Sequence, residues 1–153
     1  MIYLALLLAI ALIGGLSAVG LKAARNIQLR QAEAELIAIG SEFSRALQSY
    51  ADATPNGFPK TPENLAELLR DPRNPGIQRH LRQLYHDPLT GKAEWGIVRD
   101  PERRIIGIHS LSSDLAMKMA NFPTGLMVAE GGSRHRDWTF YATGQQGLPP
   151  EPR

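Results

Sequence analysis

Histidine and carboxylate are the side chains best suited to hold a metal or move a proton, and here they are scattered. His80, His86, His109 and His135 are the four histidines. No pair has the four-residue helical spacing of a zinc helix, and no Glu stands between two of them in an H-E-x-x-H pattern, so they read as solvated or loosely packed. His109, Ser110 and Asp114 supply the residue types of a hydrolase triad. They lack a nucleophile elbow, and adjacent strand residues point to opposite faces, so no enzyme is expected. The absence of cysteine excludes thiolate metal sites and thiol catalysis and leaves the compartment open. Arg70, Arg73, Arg79, His80 and Arg82 make the one local basic cluster, read as a solvated helix surface. It has no interleaved aromatics, and a net charge of +2 adds no argument for a nucleic-acid partner.

Such residues need a frame, and the frame begins at the first residue. Met1 to Leu21 contains no side chain charged at neutral pH. As a helix it spans roughly 32 Å, the hydrocarbon thickness of a bilayer. A cleaved signal would have a basic start and a shorter apolar run, and a buried core helix of this length has nowhere to hide in so small a domain. A membrane anchor fits best. Leu4, Ala5, Leu8, Ala11, Gly14, Gly15 and Ala18 form its assembly face, with the Ala11/Gly15 and Gly14/Ala18 pairs four apart, a spacing that lets helices approach in lipid. Beyond Lys22 the apolar residues narrow to a stripe of Leu29, Ala32, Leu36, Ile39, Phe43, Leu47 and Tyr50, the mark of an amphipathic helix. The expected division is a transmembrane half at 1–21, an amphipathic half at 22–53, a globular head at 54–143 and a flexible tail at 144–153.

Within the head, Thr54-Pro55-Asn56-Gly57 ends the long helix. Thr61 reads as the N-cap of a short helix through Leu65, Leu68 and Leu69, with Pro62 at its first position. A further helix is expected over Ile77, Leu81, Leu84 and Tyr85. Asp87 to Gly91 reads as a turn, and Ala93–Val98 with Arg104–His109 as a hairpin, with Trp95 and Ile97 sharing one face and Ile106 and Ile108 another. Asp114 to Gly132 gives no firm pattern beyond a short helix at Leu115–Met119. Asp137–Ala142 is a third strand with Trp138 and Phe140 on one side. The fold class is therefore α+β: a long helix packed on a small antiparallel sheet, with Leu36, Phe43, Leu47, Trp95 and Trp138 holding head to helix.

This order of elements resembles the type IV pilin and type II secretion pseudopilin superfamily. Phe58-Pro59-Lys60-Thr61-Pro62-Glu63-Asn64-Leu65-Ala66-Glu67-Leu68 is similar to the pseudopilin YP-x-x-x-x-x-L-x-x-L segment, and Asp87-Pro88-Leu89-Thr90-Gly91-Lys92 to its DP-x-G turn. Glu94 to Val98, Gly107 to Ser110 and Asp137-Trp138 are similar to a bacterial pseudopilin subgroup. The resemblance implies a pilin-like filament subunit in a bacterial inner membrane, single-pass, with a periplasmic head. Its partners would be other pilin or pseudopilin subunits, inner-membrane assembly proteins and lipid. Lys22, Arg25 and Arg30 after the span would by themselves put the head on the cytoplasmic side.

Family members carry a basic leader ending in Gly and usually Glu at mature position five. With Met1 as the mature first residue, Ala5 stands at that place. Either a leader precedes Met1 or this is an unprocessed variant. The missing salt bridge in lipid points to a minor subunit over a bulk one. The family's major pseudopilins also bind calcium near the C-terminal strands. Ser110 and Asp114 occupy a comparable place but offer one carboxylate, so a polar loop is the default and no cofactor is expected. Three alternatives stay open: a single-span periplasmic binding module, a secreted enzyme and a DNA-uptake pilin.

Overall fold

The computed structural model describes residues 2–129 and 131–142, without the side chains of 9 and 12–23. Helix α1 (Ile2–Asp52) is continuous, and its 51 residues extend roughly 77 Å. A single turn, α2 (Ala66–Leu69), follows. Four short strands come next: β1 (Gly96–Arg99), β2 (Ile105–His109), β3 (Leu126–Val128) and β4 (Trp138–Tyr141), with a 3-10 turn at His135–Asp137 leading into β4. They form one antiparallel sheet in the order β1-β2-β4-β3. The fold is α+β, a long N-terminal helix on a small antiparallel sheet.

Register explains how the sheet meets the helix. Ile97 pairs with Ile108, Ile108 with Phe140, and Phe140 with Leu126, so one apolar row crosses all four strands. Leu36, Ile39, Phe43, Ala46, Leu47 and Tyr50 of α1 bury their stripe in the same core as Ile108, Phe140, Leu126, Trp95 and Trp138. Burying one such large apolar side chain is worth about 1.5–3 kcal/mol, which is what holds a helix this long against so small a sheet. Phe43 packs its ring 5.3 Å from Trp95. Gly40 marks the closest approach, since a Cβ there would lie 2.2 Å from the Phe140 ring.

Several sequence expectations give way here. The segment holding Ile77, Leu81, Leu84 and Tyr85 is not helical. Its backbone turns back on α2, with the His80 and Leu81 N–H groups donating to Leu68 O and the Asp71 N–H to Gln78 O, so the bonds a helix would need are spent elsewhere. Leu81 is buried, whereas Ile77 is 77% exposed. Thr61 does not cap α2. Its hydroxyl donates to Asp100, and Asn64 accepts the Glu67 N–H instead. Between β1 and β2 the register passes from Val98↔Gly107 to Arg99↔Ile105, leaving Ile106 unpaired. That extra residue resets the alternation, so Ile105 joins Ile108 in the core and Ile106 stays half-buried. The 114–132 stretch has no helix among its described residues and instead supplies β3.

Candidate functional site

Three buried polar centres fasten head to helix or loop to loop. The first grows from Glu33, which interrupts the apolar stripe of α1 one turn after Leu29. Its carboxylate is buried and accepts the backbone N–H of Met117 at 2.5 Å and of Lys118 at 3.2 Å, with His135 Nε2 at 2.9 Å. A buried carboxyl in such a place is tolerable because two backbone N–H donors and a ring nitrogen meet its oxygens. His135 Nδ1 is buried without a partner among the described residues, and the ring packs edge-on against Trp138. Glu33 thereby ties α1 to the loop before β3 and to the turn before β4.

The second centre closes the other end of α1. That helix has no basic residue in its last turn, and Arg73 comes from the following segment to fill the gap. Arg73 donates to Tyr50 O at 2.9 Å, Thr54 Oγ1 at 2.6 Å and Pro59 O at 2.9 Å. Its guanidinium lies 3.5 Å from the centre of the Tyr50 ring. A cation there meets the negative end of the helix dipole and the orphan carbonyls together. Asp71, fully buried, takes Arg73 Nε on one oxygen and Nη2 on the other. The hydrogen bonds from Arg73 hold the Asp71 carboxyl well below its ordinary range. Burial, and then the bond to Glu67, push the Tyr50 hydroxyl well above its own.

His80 links this centre to Ser49. Its Nδ1 lies 2.8 Å from Ser49 Oγ and its Nε2 3.3 Å from Asp71 Oδ2, the order of a Ser-His-Asp relay. Ser49, however, sits in the last turn of α1, where backbone carbonyls face outward. That end of a helix opposes a developing oxyanion and supplies no N–H donors for it. The chain of bonds positions His80 against the helix.

Asp87 is the third centre. Its carboxylate accepts the Ser110 hydroxyl at 2.6 Å and the Leu89 N–H at 2.9 Å, and Gly91 completes the turn at φ +71°. Ser110 also accepts the Ser112 N–H, so its hydroxyl is engaged away from Asp114, which is exposed. Among the described residues no three His, Cys, Asp or Glu side chains converge as a metal group would. His109 bonds the Ser110 carbonyl and not its hydroxyl, so His109, Ser110 and Asp114 form no relay.

The histidine expectation is thus corrected for two of the four, since His80 and His135 are packed partners of carboxylates. The basic cluster divides as well. Arg73 and His80 turn inward, leaving Arg70, Arg79 and Arg82 exposed. Glu33 had a signal in the sequence, a carboxylate standing on an apolar stripe. Asp71 and Arg73 stand two residues apart, but nothing local marked their burial, because the Tyr50, Thr54 and Pro59 oxygens that Arg73 meets lie 14 to 23 residues away.

The head-packing set Leu36, Phe43, Leu47, Trp95 and Trp138 is buried in one cluster. At the other end of α1, Leu4 is 64% and Leu8 58% exposed, and Ala5 and Ala11 are exposed too. The side chains at 14, 15 and 18, and the whole tail from 143, lie outside the described residues. Among the described residues no helix is long and apolar enough to cross a membrane. Where α1 leaves the head, an open groove of about 840 Å³ runs between Arg25–Ala32, Pro88-Leu89, Ser113–Leu115 and Arg134.

No protein-family model, no curated protein and no solved structure matches the chain.

Proposed function

We propose that this chain is a structural subunit, of the minor kind, in a type II secretion pseudopilus or a type IV pilus-like filament. It is anchored in a bacterial inner membrane through α1, with its head in the periplasm. The observation that carries the reading is the division of labour along one helix. From Leu36 to Tyr50 its stripe is consumed by the head core, while Ile2 to Ile10 present Ile, Tyr and Leu side chains that nothing among the described residues covers. Apolar side chains in that number call for lipid or a second helix. The polar centres at Glu33 and Arg73 fit a part that transmits force, because they lock the head at both ends of its contact with the rod. In this reading the chain's partners are pilin-like subunits and assembly proteins, and no catalytic group is assigned.

The test uses the absence of cysteine in the chain. A single cysteine at Leu8 or Ala11, oxidised in native membranes, should give crosslinked dimers between neighbouring helices and mixed species with partner subunits. A chain that is freely soluble and monomeric without detergent would overturn the reading. Membrane insertion as a strict monomer would favour the single-span binding module instead.

A further inference from the structure

The groove at the foot of the head combines features that a structural joint does not require. Two guanidinium side chains, Arg25 from α1 and Arg134 from the turn before β4, line it together with apolar Leu29, Leu89 and Leu115. Asp114 is the one carboxylate in the lining, so the balance is cationic. Leu115 is 62% exposed although it is bridged to Arg134 by backbone pairing. Arg134 is itself pinned to the Ser113 carbonyl, which keeps the apolar tip and the cation side by side.

Its position along the rod matters most. On the anchored reading of α1, the hydrocarbon boundary falls where the uncharged run ends at Leu21. Arg25 then stands about 6 Å and Leu29 about 12 Å beyond it along the axis. The polar layer of a leaflet is about 5–8 Å deep. Arg25 therefore lies within reach of the phosphates, and Leu115 and Arg134 share its groove.

From this we infer that the groove is a seat for an acidic phospholipid. Its phosphate lies between Arg25 and Arg134 at the depth of the polar layer, with the acyl chains below it in the hydrocarbon. The head then rests on the leaflet, its tilt set by the lipid beneath it. The inference rests on the anchored reading of α1 and adds a partner to it.

The full chain, carrying Leu115→Cys with a fluorescent label, is placed in nanodiscs of phosphatidylcholine with or without phosphatidylglycerol, each containing a nitroxide-headgroup lipid as quencher. Label at Ile77→Cys serves as the exposed reference. Stronger quenching at 115 than at 77, larger with the acidic lipid and weakened by salt, supports the seat. Each guanidinium near an acidic surface contributes about fivefold, so Arg25→Gln with Arg134→Gln should reduce docking by roughly 25-fold while the chain still co-purifies with the disc. Equal quenching at 115 and 77 in loaded discs overturns the seat and leaves the anchor standing. Quenching at 115 that ignores both lipid charge and the double substitution overturns the phosphate contact. Failure of the chain to enter discs overturns both readings.

Discussion

Asp71 shows how much one buried carboxylate can control. It is fully buried, bonded by Arg73 on both oxygens and approached by His80. Replacing it with Asn removes the countercharge and one of the two acceptor oxygens facing Arg73, leaving that cation buried, which costs about 3–5 kcal/mol for a broken buried pair. The pH dependence follows from the direction of its shift. The folded carboxyl is held below its ordinary value of 3.8, so the unfolded chain takes up the proton first as pH falls. The stabilisation is complete above that value and is lost progressively below it. Urea denaturation should therefore show the parent losing stability more steeply than Asp71→Asn below about pH 4.

At the scale of elements, contact between α1 and β4 depends on Gly40. A side chain there would meet three atoms of the buried Phe140 ring at 2.2–2.4 Å. Gly40→Val should lower stability by about 1–3 kcal/mol through overpacking, read as a reduced thermal midpoint. The stretch after α2 gives a paired prediction. Leu81 is buried under α2, so Leu81→Ala should cost about 2–5 kcal/mol. Ile77→Asp should change stability by less than about 0.5 kcal/mol, because that side chain faces solvent. A helix through both residues would have made both changes costly. Denaturant titration of the two variants separates the outcomes.

For the molecule as a whole, the rod and the head draw on different parts of one helix. The buried stripe lies within 33–50, and Ile2 to Ile10 contribute nothing to the head core. A chain lacking residues 2–21 should keep the same head and sediment as a monomer in water without detergent. Persistent association of that shortened chain would place the self-contact in the head and count against assembly through the helix.

The long helix, its buried stripe, the hairpin and the Trp138/Phe140 strand were legible because each is written in a local period, three to four for a helix and two for a strand. The α+β class followed from those alone. The bulge at Ile106, the strand at Leu126–Val128 and the coil at 77–85 were not legible, since each depends on where backbone bonds go in three dimensions. Glu33 stands on the apolar stripe but drew no reading from the sequence, since its partners lie 84 to 102 residues away. The sequence by itself determined which side chains must leave water. Tertiary structure alone decided which buried charges found partners, because a carboxylate's nearest donors are chosen by packing and not by order along the chain.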